Sequence, residues 1–470
     1  MSCYIFVHPR DKVSRRSQGG AALALLAGLL PLLLLAVSLI SIVNPGFAMP
    51  DYTGLQGPYC ERLYRRGHCC PGRQDECSVP ILGTLCYCDE FCANRTRRND
   101  HEEDCCPDFF SFCRGDGNLL AWTKASDCEH RGRTYLQGAK FKENCNFCKC
   151  SNIEGKSEVL CEDKLCLMDE NLIYNIQSLE NQLWVARNYT SFYGRSLDEG
   201  LKLKLGTLNP SRSVYRMNPV RRIYNPEDLP KEFDSRIRWP RDISPVHDQG
   251  WCGASWAVST VDVASDRFGI MSKGLEKVQL SAQHLLSCNS KGQQGCNGGY
   301  LDRAWLFMRK YGLTDEDCYP WKGEVSKCRV QRQSKLSDSG CRKRNSYNLR
   351  NELYRVGPAY RLGNETDIMD EILQSGPVQA TMRVYHDFFN YESGIYVHSS
   401  YAEHHPSAYH SVRIVGWGEE VSPYGKTIKF WRIANSWGRD WGEDGYFRIL
   451  RGVNECEIES FVLGIWAKTV

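Results

Sequence analysis

The chain is short of net charge. Its 59 basic and 56 acidic side chains leave only +3 over 470 residues, so global charge says little about partners. It is short of cysteine in one place: none falls between 167 and 251, although the chain holds 24. A disulfide scaffold is thereby excluded from that stretch, where Leu172, Ile173, Ile176, Leu179, Leu183 and Val185 recur at roughly helical spacing instead. The segment from Cys60 to Cys113 lacks the apolar content for a core, so disulfides must hold it. At 470 residues the chain exceeds one ordinary domain, and two to four are expected.

Elsewhere cysteine is dense. Ten fall between Cys60 and Cys113, six between Cys128 and Cys166, seven between Cys252 and Cys456, and Cys3 stands alone. Such clusters in short polar segments point to disulfide scaffolds in an oxidising compartment rather than to zinc, and no metal or cofactor is expected. At the N-terminus, Arg10, Lys12, Arg15 and Arg16 precede an apolar run, Ala21 to Val43, and Gly46-Phe47-Ala48 has the form of a signal-peptidase site. Residues 1–48 therefore read as a signal peptide, with a type II signal anchor as the rival; a membrane enters only in that second case. Sequons at Asn94, Asn188 and Asn364 fit the same compartment.

The segments CYCDEFC (Cys86 to Cys92) and DCCPDFFSFC (Asp104 to Cys113) resemble a somatomedin B module, placed at 56–116, with ten cysteines where that family has eight. Arg114-Gly115-Asp116 follows at once, a candidate integrin-binding tripeptide. The spacing from Cys128 to Cys166 is similar to a von Willebrand factor C-type module, placed at 126–168. The run Trp184-x-Ala186-x-Asn188 followed by Leu205-Gly206-Thr207 resembles a cathepsin B propeptide, so 169–230 reads as a propeptide-like helical segment and linker. In that family the propeptide lies through the active-site cleft. The dibasic pair Arg221-Arg222 reads as part of a solvated linker, with processing there as the other possibility.

From 231 to 470 the resemblance is to cathepsin B, one of the papain-like peptidases. It rests on QGWCGASWA (Gln249 to Ala257), GCNGG (Gly295 to Gly299), HSVRIVGWG (His410 to Gly418), ANSWG (Ala434 to Gly438) and WGEDGYFRILRG (Trp441 to Gly452). The fold implied is α+β, a papain-like two-lobe cysteine-protease fold preceded by small disulfide-rich modules. It implies a disulfide between Cys252 and Cys296, a cleft lined by Gly298, Gly299 and Trp437, and an apolar S2 floor at Phe461. The family nucleophile aligns with Ser255. By position His410 is the imidazole, Asn435 its orienting partner and Gln249 the oxyanion-hole donor. No histidine lies between Cys318 and Cys341, so the dipeptidase chemistry of the cathepsin B occluding loop is not implied. His404 and His405 read as an exposed loop.

A papain-type site needs a thiolate formed before substrate arrives. Serine is far too weak an acid for that, and the neutral Asn435 replaces the carboxylate that a serine hydrolase uses to hold its imidazole. Ser255 is thus expected to be silent, and Ser255→Cys to gain thiol-protease activity if the groove is otherwise intact. The rival readings are an endopeptidase using Ser255, and a decoy that captures peptides. The module order as a whole resembles the tubulointerstitial nephritis antigen family. That implies a secreted, glycosylated matrix-associated pseudoenzyme whose partners are extracellular-matrix proteins and cell surfaces. Lys327, Arg329, Arg332, Arg342, Lys343 and Arg344 lie in a basic loop read as a docking surface for glycosaminoglycan, not nucleic acid. With an odd number of cysteines in the protease-like part, Cys456 is the expected free thiol, buried and unreactive.

Overall fold

The computed structural model describes residues 57–63, 69–81, 84–90, 105–113, 127–153, 156–179, 182–330, 353–422 and 425–469. The apolar N-terminal run, Cys92, Asn94, Arg114-Gly115-Asp116, Arg332, Arg342, Lys343 and Arg344 lie outside them. Among the described residues no helix is long and apolar enough to cross a membrane. The chain divides into two units, 1–122 and 123–470.

The first unit has little to bury except sulfur. Its core is Cys60, Cys77, Cys86, Cys88, Cys105 and Cys106 with Ile81 and Phe109. Four disulfides hold it, Cys60–Cys88, Cys69–Cys113, Cys70–Cys77 and Cys86–Cys106. They clamp one hairpin, β1 (Ser78–Ile81) on β2 (Thr84–Tyr87), and two short helical turns, Tyr59–Leu63 and Phe109–Phe112. Cys105 is buried and takes part in none of these four bridges.

In the second unit, β3 (Cys128–His130) pairs with β4 (Arg133–Tyr135), and β5 (Lys140–Glu143), β6 (Asn146–Ile153) and β7 (Lys156–Cys161) form a three-stranded sheet. Three disulfides, Cys128–Cys150, Cys145–Cys166 and Cys148–Cys161, close all six cysteines of this part. Its end is pinned to the rest of the unit. The Cys166 carbonyl accepts from His386 Nε2 at 2.9 Å, and Asn144 Nδ2 donates to the Met168 carbonyl at 2.7 Å.

The cysteine-free stretch folds by local caps. The Asp169 carboxylate accepts from the backbone N–H groups of Asn171 and Leu172 and starts helix α1 (Glu170–Gln177). Ser196 and Glu199 make a reciprocal capping box that starts α2 (Leu197–Leu203). Between them β8 (Trp184–Ala186) adds an edge strand to the large sheet, antiparallel to β12 (Tyr391–Tyr396).

The remaining chain makes two cores. One is built on α3 (Ser255–Met271), α4 (Ala282–Cys288) and α5 (Leu301–Tyr311). Helix α3 is buried on every face over most of its length, as a helix at the centre of a lobe must be. The other core lies on a nine-stranded sheet. Short β9 (Phe233–Asp234) pairs with β13 (Ala408–Val421), and the main order is β10 (Tyr360–Arg361), β16 (Phe461–Gly464), β11 (Val378–Val384), β13, β14 (Thr427–Ala434), β15 (Tyr446–Leu450), β12, β8. Helix α6 (Glu365–Ser375), capped by Asn364, packs against it.

Two neighbouring residues of α3 clamp the lobes together. Asp266 accepts from Arg413 Nη1 of β13 at 2.8 and 3.0 Å and from the Ser244 backbone N–H at 2.6 Å, with both charged side chains essentially fully buried. Arg267 donates to Glu371 of α6 at 2.8 Å and to the carbonyls of Pro377, Gly376 and Ile465.

Glu371 also corrects the reading of the linker. Arg222 is only partly solvated: its guanidinium pairs with Glu371 at 2.7 Å and donates to Ser375 Oγ at 2.9 Å. Tyr224 adds bonds to Thr366 and Asp367 at 2.9 Å each. Dibasic cleavage needs an extended, released strand. A dibasic-specific protease is therefore expected to leave the native chain whole at Arg222 and to cut there after unfolding. Intact-mass measurement checks this, and rapid cleavage of native protein would contradict it.

Candidate active site

Ser255 is the first residue of α3, preceded by Ala254, which offers no capping side chain. The turn into it is set by Gly250 at φ +64 and by the Cys252–Cys296 disulfide, which joins the helix entry to the loop bearing Gly298 and Gly299. Glycine is required at 299 by close approach, since a Cβ there would overlap the Trp256 ring. The opposite wall is β13 and the end of β14. His410 Nε2 donates to Asn435 Oδ1 at 2.8 Å, and that oxygen also accepts the Ser436 backbone N–H. The backbone N–H fixes Asn435 Oδ1 as the acceptor, so the proton of a neutral His410 sits on Nε2 and the lone pair on Nδ1.

Each family-aligned residue is therefore in one place: Ser255, His410, Asn435 and Gln249 are all buried, with Trp437 packed beside them. The side chain at the nucleophile position and the imidazole are not hydrogen-bonded to each other. His410 Nδ1 has no hydrogen-bond partner. The Ser255 hydroxyl instead bonds Thr207 Oγ1 at 3.0 Å and accepts weakly from the Ser411 N–H. Because Thr207 Oγ1 donates to Ser411 Oγ at 2.8 Å, the proton it shares with Ser255 comes from the serine. Behind them Ser259 and Gln379 extend a chain of buried polar groups across both lobes.

The remaining donors are spent on the same stretch of chain. Gln249 Nε2 donates towards the carbonyls of Lys204, Leu205 and Cys252, and Trp437 Nε1 to Lys204 O at 2.7 Å. The Leu205 carbonyl oxygen, which accepts both from Gln249 Nε2 and from the Ser255 backbone N–H at 3.2 Å, thus sits in the donor cup that an oxyanion would need. Gly206, at φ +113, lies so close to Gly253 that a Cβ would overlap the Gly253 carbonyl. Thr207 then donates its N–H to the Tyr409 carbonyl on one wall, and Leu208 to the Gly299 carbonyl on the other. Gly298 faces Leu208, and the ring of Phe461 is stacked by Tyr215. The groove holds residues 204–208 of the chain itself.

Lys204 is unusual for its burial: its ammonium lies over the Trp251 ring, with Asp248 at 3.8 Å, and burial lowers its pKa. The sequence offers one signal for all this, Leu205-Gly206-Thr207; nothing in it singles out the contacts of Lys204 or Thr207. Of the other sequence-chosen positions, Asn188 is half-buried beside Asn390, and Asn364 has its Oδ1 capping α6. His405 lies against His386 while His404 is exposed. Lys327 and Arg329 are the described members of the basic loop.

Burial lowers the pKa of His410 to about 4, with Asn435 acting against it, and lowers that of His284 to about 4 as well. Both rings are neutral in the fold but titrate near 6.5 when unfolded. The unfolded chain thus binds more protons between these values. The stability they contribute is complete above pH 6.5 and lost as pH falls towards 4, at about 1.4 kcal/mol per pH unit for each ring. Urea midpoints between pH 6.5 and 4.5 should fall steeply, and less steeply in His410→Gln. Equal slopes would exclude His410 as a source.

The comparisons agree with this architecture. The papain family cysteine protease pattern matches residues 229–465. A human relative, "Tubulointerstitial nephritis antigen-like", is 43% identical over 90% of this chain and 91% of its own length. The chain belongs to the tubulointerstitial nephritis antigen family. A bovine family member, "Tubulointerstitial nephritis antigen", is 41% identical over 88% of each chain. Among solved structures, procathepsin B S9 from Trypanosoma congolense superposes with a TM-score of 0.54 at 31% identity, over 64% of this chain and 99% of that one. This member of the family is a cathepsin B-like homologue of the papain-family peptidases.

Proposed function

We propose that the chain is a secreted, matrix-associated cathepsin B homologue that does not cut peptides. One observation carries this: the Ser255 hydroxyl is bonded to Thr207 of the chain's own segment, while His410 Nδ1 faces no hydroxyl. A serine that donates its proton to a threonine has no base to activate it. The filled groove also speaks against capture of free peptides. Nine disulfides among the described residues favour an oxidising compartment. Contacts with matrix and cells then fall to the N-terminal disulfide modules, to Arg114-Gly115-Asp116 and to the basic loop. The test is turnover of fluorogenic peptides by purified protein: none is expected, and turnover abolished by Ser255→Ala would overturn the reading. Heparin elution at clearly lower salt after neutralising Arg342, Lys343 and Arg344 is the expected sign of the glycosaminoglycan contact.

A further inference from the structure

We infer that His398, Glu455 and Cys456 form a binding site for a zinc-like divalent cation, outside the cleft. His398 follows β12, while Glu455 and Cys456 lie on the turn before β16, 57 residues further on in sequence. The fold brings their three ligand atoms within 4.8 Å of one another. His398 Nδ1 and Cys456 Sγ both bond the same carboxylate oxygen, Glu455 Oε1, at 2.6 and 3.4 Å. Two other groups of three have similar spacing, but their cysteines (Cys60, Cys88 and Cys106 in one, Cys161 in the other) are all in disulfides. Among the described residues this is the one such group with a free thiol.

The donor set is imidazole nitrogen, thiolate sulfur and carboxylate oxygen. That combination suits Zn2+ and its neighbours; Ca2+ and Mg2+ prefer oxygen alone. The outer contacts fit too. The second ring nitrogen of His398 holds Glu403 at 3.0 Å, the carboxylate–histidine arrangement that orients metal-bound imidazoles. The turn aims the thiol inward: Asn454, Cys456 and Glu457 all have φ between 50° and 61°, and Glu457 is held by Arg383 at 2.8 Å. Cys456 is 6% exposed, whereas His398 is half-buried and gives a cation a way in.

Tyr385 and Tyr396 complete the surroundings. A cation needs the neutral imidazole and the thiolate, so its binding displaces protons to solvent and tightens as pH rises.

Co2+ alone, added to the full-length protein, reads the site optically. At one equivalent we expect an intense sulfur-to-cobalt absorption band that Zn2+ removes. Cys456→Ser should abolish the band and His398→Gln should weaken binding at least about tenfold. Wild-type protein that shows no sulfur band overturns the inference whether or not the variants fold. A band that persists in Cys456→Ser comes from another thiol and overturns it equally.

Discussion

Ser255→Cys, made alone in the full-length chain, is expected to remain without peptidase activity and to resist epoxide inhibitors of cysteine proteases. The sequence alone argues for a gain of activity, but on condition of an open groove. The groove is filled: the Lys204 carbonyl occupies the donors of Gln249 and Trp437, and Thr207 occupies the hydroxyl at position 255 itself. His410 is in addition held neutral by burial, at a pKa of about 4, so no imidazolium stands ready to stabilise a thiolate. The same substitution combined with Gly206→Val should behave differently. A side chain at 206 collides with the Gly253 backbone, which cannot move aside without disturbing the Cys252–Cys296 bridge. The segment must then leave, and the thiol gains an open cleft with Gln249, His410 and Asn435 in place. The gain has a ceiling on the order of 10⁶-fold, the loss that removing a nucleophile inflicts on a working protease. Active-site titration with an epoxide inhibitor measures it. Full reactivity of the single variant would show that the segment does not block the site.

Arg413→Leu should cost about 3–5 kcal/mol of stability, because it strands the Asp266 carboxylate where no water reaches it. Asp266 is already the strained partner. Burial raises its pKa to about 6 in spite of Arg413. Removing Arg413 removes that opposition, as well as the bond to the Ser244 carbonyl. The double variant Asp266→Leu with Arg413→Leu should recover much of the loss, since two apolar groups replace a fully desolvated pair. Urea unfolding of the three variants checks it. A single variant within about 0.5 kcal/mol of wild type would mean that the pair contributes nothing to joining the lobes.

The legible part of this chain is the local part. Glycines at tight contacts, such as Gly299 against Trp256, and a disulfide at a helix entry leave fixed marks in a sequence, so the lobes and the place of Ser255 can be read there. Caps such as Ser196 with Glu199 are three residues apart and legible in principle. Arg222 reads wrongly as free because its partner, Glu371, lies on a helix far along the chain. A dibasic pair in a polar stretch looks the same whether pinned or loose. Thr207 escapes notice for the same reason: its hydroxyl matters only through Ser255 and Ser411, one in each lobe. His398 meets Glu455 and Cys456 only when β12 and β16 join one sheet.

The strand that fills the groove is covalently part of the protein it blocks, and this sets the terms for any competitor. A tethered partner acts at an effective concentration in the millimolar range for a short, well-fitted connection, whatever the concentration of the protein. Dilution cannot empty such a cleft. A soluble peptide would need to be present at a comparable local concentration, or to bind tighter than residues 204–208 by the same factor. The two lobes are thus closed over an occupant that never dissociates in the bimolecular sense. The groove, which in an open relative is the variable part of the surface, becomes here a piece of the interior, as constant as the core behind it.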